Sequence, residues 1–262
     1  MSIVACVKVY DGIVLGAESM TQLFAATAPG QVQLVKAFSN ARKLFQIATL
    51  PVGVLTYGGG NIGTRSIESF LVEFGESLPQ QNSEQVTVEG LATELLKFIK
   101  SPYEKQYAAM PADKKPAIGF YLAGYSTGKH LGSEWEFVLP ADQSPREARE
   151  DDQCGASWRG VAVPFTRLYF GLDPRLPDAL LANGIPKDVV EKLANVAKGF
   201  ISPVVFDGMP VQDAVGFCRF ILDTTIELAT YEIGPASCGG PLQMALVTRN
   251  SFNWVTKSDI RV

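Results

Sequence analysis

The sequence predicts an α+β fold of two antiparallel sheets packed face to face, with helices layered outside them. Three observations lead there. Short apolar runs suited to strands both open and close the chain, at residues 2–17 and 242–255. Helical patterns arrive in blocks, at 62–99 and again at 160–231, whereas a doubly wound parallel sheet needs a helix between successive strands. No domain boundary or repeat interrupts the 262 residues, so one domain over 1–262 is expected, with insertions near 20–36 and 103–116.

Residues 2–9 and 12–17 are rich in Val, Ile and Leu and read as a hairpin across Asp11-Gly12. A linker-like segment at 25–33 follows and contains Pro29-Gly30. Lys43-Leu44-Phe45-Gln46-Ile47 and Val52-Gly53-Val54-Leu55-Thr56-Tyr57 form a second strand pair, with Leu50-Pro51 at the turn. Gly58-Gly59-Gly60 then meets Asn61, a good helix N-cap, and Ile67, Phe70, Leu71 and Phe74 fall at helical spacing within 62–78. A second helix is expected over 88–99, with Leu91, Leu95 and Phe98 on one face and Pro102 as its stop. The polar stretch 103–116, with Pro111 and Pro116, reads as an excursion. Strands resume at 117–123 and 135–139, and the six charges of 144–152 suggest a solvated loop. Residues 160–171 and 187–201 look helical, and a long amphipathic helix spans 210–231 with proline at an allowed first-turn position. Strands at 242–248 and 252–255 close the chain.

Apolar residues at 47% against 19% charged describe a globular chain with a sizeable core rather than a disordered one. A net charge of −4 without a basic run excludes a nucleic-acid footprint. Cys6, Cys154, Cys218 and Cys238 show no CxxC spacing, which argues against a zinc site or a disulfide framework and fits a reducing cytosol. There is no secretory leader pattern and no apolar run of membrane-spanning length, so a cytoplasmic protein without a membrane partner is expected. The single histidine, His130, sits in Ser126-Thr127-Gly128-Lys129-His130 and reads as a solvated turn residue. That leaves an amine or a carboxylate to serve where histidine is the commonest general base.

One amine is suggested by the start of the chain. Ser2 follows Met1 and is small enough for methionine removal to expose its α-amine, which would give a hydroxyl nucleophile carrying its own base. A free α-amine has a pKa of roughly 7.7–8.0, so a useful fraction is unprotonated near neutrality. The bland alternative is that Ser2 is only a permissive second residue.

An N-terminal hairpin ending in Ala17-Glu18, followed by Lys43-Leu44-Phe45-Gln46-Ile47, resembles the proteasome β-subunit family of N-terminal-nucleophile hydrolases. Gly53-Val54-Leu55-Thr56-Tyr57-Gly58-Gly59-Gly60 is similar to the family's glycine-bearing strand end. Gly155-Ala156-Ser157 is similar to its Gly-Ser-Gly motif before a helix, and Ser237-Cys238-Gly239-Gly240 to its Ser-Gly-Gly segment entering a late strand. Ser2 and Glu18 stand sixteen positions apart, as the family's nucleophile and acidic residue do. The resemblance implies a four-layer αββα sandwich of bacterial proteasome-related type, acting as a hydrolase of peptide or other amide bonds. Ser2 would be the nucleophile, at a position normally threonine. Lys43 would lower the pKa of the amine and stabilise developing negative charge, with Glu18 holding it charged and oriented. Gly58 would supply the oxyanion N–H, with Tyr57 or Gly59 in that place if the alignment slips by one. Ser157 is the hydroxyl nearest the Gly-Ser-Gly position, where Ala156 is the literal match. The mechanism implied needs neither metal nor organic cofactor.

Two departures stand out. Pro235 occupies the place of an Asp and Cys238 that of the serine in the Ser-Gly-Gly segment, and Glu232 is the nearest acid in sequence. Cys6 reads as a small core residue and Cys238 lacks an evident activator. The Glu18–Lys43 pair would also be compatible with a purely structural salt bridge. The alternatives to a peptidase are therefore a catalytically silent ring or scaffold subunit and an amidase for a small non-peptide substrate. Implied partners are further copies of the chain in a ring or ring-like homo-oligomer, a peptide or unfolded protein substrate, and an ATP-dependent unfoldase.

Overall fold

The computed structural model describes residues 2–28, 31–78 and 86–256, so Met1 and the Pro29-Gly30 pair lie outside it. Strands β1 (Ile3–Val9) and β2 (Gly12–Ala17) pair antiparallel with Val4 opposite Ala17 and Val9 opposite Gly12. The two-residue turn is thus Tyr10-Asp11, one position earlier than expected. Strands β3 (Thr21–Ala28) and β4 (Gln31–Phe38) form a two-stranded sheet of their own, where the sequence suggested a linker. β5 (Leu44–Gln46) and β6 (Val52–Gly58) follow as the expected pair.

The first helix starts later than the Asn61 cap implied. Asn61–Ile62 (β7) pairs with Arg65–Ser66 (β8), and α1 (Ile67–Ser77) begins where the Ser66 hydroxyl accepts from Ser69 N–H at 3.2 Å. Helix α2 (Val88–Gln106) runs straight through Pro102. Its next turn is kept by Tyr103, 1% exposed, whose hydroxyl donates to the Pro116 carbonyl at 2.8 Å. Burial of that ring offsets much of the cost of the N–H that proline lacks.

β9 (Ile118–Gly124) and β10 (Ser133–Leu139) match expectation, whereas β11 (Arg146–Arg149) replaces the predicted charged loop. Arg146 and Arg149 of β11 face Glu136 and Glu134 of β10, with N–O separations of 3.1 and 3.5 Å, so the segment is a strand paired through its charges, although Arg146 and Glu147 remain exposed as expected. β12 (Gly155–Gly160) is followed by α3 (Val163–Phe170). Helix α4 (Leu176–Ala182), which the sequence reading missed, tolerates Pro177 in its first turn. α5 (Lys187–Lys198), α6 (Val211–Tyr231), β13 (Gln243–Thr248) and β14 (Ser251–Thr256) complete the chain.

Two five-stranded sheets result, ordered β12-β1-β2-β13-β14 and β11-β10-β9-β6-β5, with every pairing antiparallel. Apolar side chains gather in three clusters. Phe70, Phe74 and Leu95 of α1 and α2 pack on Val54, Phe120 and Phe137 of the second sheet. Val4, Cys6 and Leu15 meet Leu44, Leu55 and Tyr121 between the sheets. Phe165, Ile221 and Leu222 of α3 and α6 cover Ile3, Ala5 and Val7. Alternate β1 residues therefore enter different clusters, and a strand covered on both faces reads as an unbroken apolar run. Among the described residues no helix is long and apolar enough to cross a membrane.

Candidate active site

A cleft of about 540 Å³ opens where β1 begins, β3 begins and β6 ends. Ser2, Thr21, Lys43, Tyr57, Gly58 and Gly59 are among the residues lining it. Three sequence-predicted site residues, Ser2, Lys43 and Gly58, are thus brought to one cavity. Ser2 is buried, and its carbonyl accepts from Val161 N–H at 2.7 Å. The neighbouring Gly160 has φ +89°, and a Cβ there would lie 1.8 Å from the Ser2 carbonyl oxygen. Only glycine lets the end of β12 close over the start of β1 in this way.

Glu18 sits at the end of β2 with no solvent exposure. One carboxylate oxygen accepts from the Lys43 ammonium, and the other from Met20 N–H at 2.7 Å and Gly239 N–H at 3.0 Å. The Lys43 ammonium also donates to the Met20 carbonyl. Burial lowers the pKa of Lys43, with the adjacent Glu18 charge and hydrogen bond opposing the shift. The backbone of Lys43 is fixed as well, since its N–H and that of Leu44 donate to the Gln243 side-chain oxygen at 2.9 and 3.2 Å. Gln243 lies 200 residues away, and no local pattern marks it.

At the glycine cluster, Gly58 has φ +86° and would carry a Cβ 2.3 Å from the Ala117 carbonyl oxygen. The Gly59 N–H is already committed to that carbonyl at 2.8 Å. Arg42, missed in the sequence, also lines the cleft; it pairs with Glu68 at 3.6 Å and lies 5.5 Å from the Phe45 ring centre.

Ser157 lies elsewhere. It stands opposite Cys6 in the β1–β12 ladder, three residues before the Gly160–Ile3 pair, and its hydroxyl accepts from Arg149 at 3.0 Å. It is not among the cleft residues. Gly155-Ala156-Ser157, expected just before a helix, is instead part of strand β12, which continues to Gly160, so the junction beside Ser2 is Gly160-Val161-Ala162, which has no hydroxyl. Pro164 at the start of α3 was the signal in the sequence that marked that junction. Cys238 lies behind Glu18 with its thiol 3.9 Å from the Thr225 carbonyl, and burial together with the Glu18 charge pushes its pKa up to about 11. Glu232 caps α6 in an exposed position and does not line the cleft. Among the described residues, no group of three or more His, Cys, Asp or Glu could hold a metal ion.

The α+β arrangement of antiparallel sheets and helices fits a proteasome-like fold. Similar solved structures are Anbu (ancestral beta-subunit) from Yersinia bercovieri, at TM-score 0.54 and 13% identity, and the helical assembly of the Anbu complex from Pseudomonas aeruginosa, at TM-score 0.56 and 13% identity; each match covers 98% of this chain and 88% of the other. The Gly-1 mutant of Anbu from Hyphomicrobium sp. strain MC1 is similar at TM-score 0.51 and 12% identity over 98% of this chain and 86% of that one. At these identities the likeness is one of fold. No protein-family model and no curated protein matches the sequence.

Proposed function

We propose that the chain is a proteasome-like N-terminal-nucleophile hydrolase, a single four-layer αββα domain that cleaves peptide or other amide bonds through an acyl-enzyme on Ser2 after removal of Met1. The observation that carries the reading is the convergence of Ser2, Lys43 and Gly58 on one cleft, with Lys43 held by a fully buried Glu18.

In the proposed reaction the Ser2 Oγ attacks the scissile carbonyl carbon while its proton passes to the free α-amine. The carbonyl π electrons move to oxygen, for which the Gly58 N–H is the proposed donor. Collapse of this tetrahedral species breaks the C–N bond, the leaving amine takes the proton, and an ester on Ser2 remains. Water, deprotonated by the same amine, attacks the ester and releases the acid. The Lys43 ammonium keeps the α-amine's pKa low, and an amide nitrogen retained from Met1 could not act as base.

Intact-mass measurement and covalent labelling by an N-terminal-nucleophile inhibitor test this. The expected result is a chain lacking Met1, labelled at Ser2, with labelling lost in Lys43→Ala. A purified chain that keeps Met1, or takes up label independently of Lys43, overturns it. A second reading, a silent ring or scaffold subunit, is favoured by Pro235, Cys238 and the hydroxyl-free Gly160-Val161-Ala162 junction, and persistence of Met1 is its expected result. An amidase for a small substrate would share the labelling but not the turnover of peptides. We also propose self-association into a ring or ring-like homo-oligomer in the cytoplasm, in line with the helical assembly of the Pseudomonas neighbour, with an unfolded protein substrate delivered by an ATP-dependent unfoldase.

A further inference from the structure

Helix α5 presents its apolar side to solvent. Val189, Leu193 and Val196 follow one another at intervals of four and three residues, which places them on one narrow stripe, and Phe200 stands in the turn just beyond the Gly199 cap. An amphipathic helix on a globular protein ordinarily turns such a stripe to the core. Here the four residues are 39%, 53%, 63% and 82% exposed, and the buried residue of α5 is Val190, off the stripe. Side chains left out in this way forgo the burial that ordinarily stabilises such a stripe. The apolar surface continues onto Leu181 and Ile185, also exposed.

We infer that this stripe is a contact surface for a second copy of the chain, whose own α5 packs on it antiparallel about a two-fold axis; the inference rests on the proposed self-association and names its surface. Two features favour a copy over another partner. Leu193 and Val196 are self-complementary about their midpoint, so an antiparallel copy sets Leu193 of each chain against Val196 of the other, with Val189 towards the turn that carries Phe200, an isologous contact. Its margins raise no like-charge conflict either. Ala197 and Gly199 are small, Lys192 is paired within the helix to Asp188 at 3.4 Å, and the Lys187–Glu191 pair at 3.7 Å lies on the back of the helix.

Light scattering on the size-fractionated full-length chain over a concentration series tests the seam, with Leu193→Glu and Val196→Lys made separately. Both positions are more than half exposed, and circular dichroism with urea midpoints checks that each variant is folded. The expected result is an oligomer for the unmodified chain and at least a thirtyfold weakening of assembly, about the effect of removing one hot spot, in either variant alone. Mixing the two restores assembly, because the register sets the new carboxylate against the new ammonium and leaves one native Leu193–Val196 contact. An unmodified chain that oligomerises while both variants do so equally well overturns the α5 seam and leaves self-association standing. Weakening without rescue on mixing overturns the antiparallel register. An unmodified chain that stays monomeric overturns self-association and the seam together.

Discussion

Glu18→Gln keeps the shape of the side chain and removes the charge that Lys43 depends on. Its remaining carbonyl oxygen can still accept from Met20 and Gly239, now 2.7 and 3.0 Å from the carboxylate. The new amide NH2 then faces the Lys43 ammonium, donor against donor. Removing one partner of a buried pair costs about 3–5 kcal/mol, because the other charge is left without compensation. Lys43 borders the cleft and is 7% exposed, so water offsets part of this and the lower end, about 3 kcal/mol, is expected. Lys43→Met should cost a similar amount, since it strands a carboxylate with no exposure at all. The double variant removes both charges together and should lose little more than either single, which corresponds to a coupling energy of about 3 kcal/mol. Urea unfolding of the four proteins measures this, and Ser2 labelling read in parallel separates stability from reactivity. Single losses below about 1 kcal/mol, or singles that simply add in the double variant, would refute a tightly coupled buried pair.

Gly160→Ala should lose about 2–3 kcal/mol, from the positive φ and the weakened Val161-to-Ser2 hydrogen bond, and should also reduce Ser2 labelling. Gly184→Ala, with φ +82° but nothing within 4 Å of the added Cβ, is the control and should lose only the backbone part; equal losses in the two would show that the Ser2 contact is unimportant. Two buried glutamates should respond to acid in opposite ways. Burial pushes the Glu134 carboxyl up, so the folded state binds that proton more readily than the unfolded chain, and its contribution to stability grows as pH falls from the raised pKa towards the ordinary carboxylate value. Burial also acts on Glu136, but Arg159 and Arg146 outweigh it and hold the pKa low; its contribution is complete above the ordinary value and is lost as pH falls through the lowered one. Melting temperature against pH should therefore lose an acid-side gain in Glu134→Gln and part of the acid-side decline in Glu136→Gln; the same change of slope in both would refute the assignment. Finally, burial pushes the Cys218 thiol up to about 12 and Cys6 well above its ordinary value, so a thiol reagent on the native chain should modify half-buried Cys154 first, and native-rate labelling of Cys238 would contradict its placement behind Glu18.

Much of the fold is legible because its central strands are covered on both faces. Val, Ile and Leu then run without polar interruption, and short runs between turn residues can only be strands at this spacing. What misled was polarity satisfied locally. Arg149 looks solvated until Glu134 of the neighbouring strand is known. Pro102 looks like a stop until Tyr103 is seen to anchor the following turn. The site divides in the same way. Ser2, Glu18 and Lys43 stand at strand ends close to recognisable turns, whereas Ser157, matched to a motif that precedes a helix, lies inside β12 and belongs to a different polar cluster.

The sixteen-residue interval between Ser2 and Glu18 has a physical origin that limits what it can prove. Val4 pairs with Ala17, so the same register sets Ser2 opposite Ser19, and Glu18 N–H donates to the Ile3 carbonyl at 3.2 Å. Any hairpin with this strand length and a two-residue turn brings those positions together. Register therefore explains proximity, but it does not explain why an acid stands at position 18. Position 18 follows the last residue of β2, the central strand of the first sheet, and Lys43 enters from the second, where its carbonyl accepts from Thr56 N–H at 2.9 Å. Gln243 of the first sheet holds the same stretch of backbone. The Glu18–Lys43 pair thus ties the two sheets at the end where Ser2 opens into the cleft. A salt bridge needed only for that tie could have been replaced by apolar side chains at little cost. Beside a buried serine and a cleft the pair can serve chemistry or architecture, and separating stability from Ser2 reactivity in the Glu18→Gln and Lys43→Met pair distinguishes the two.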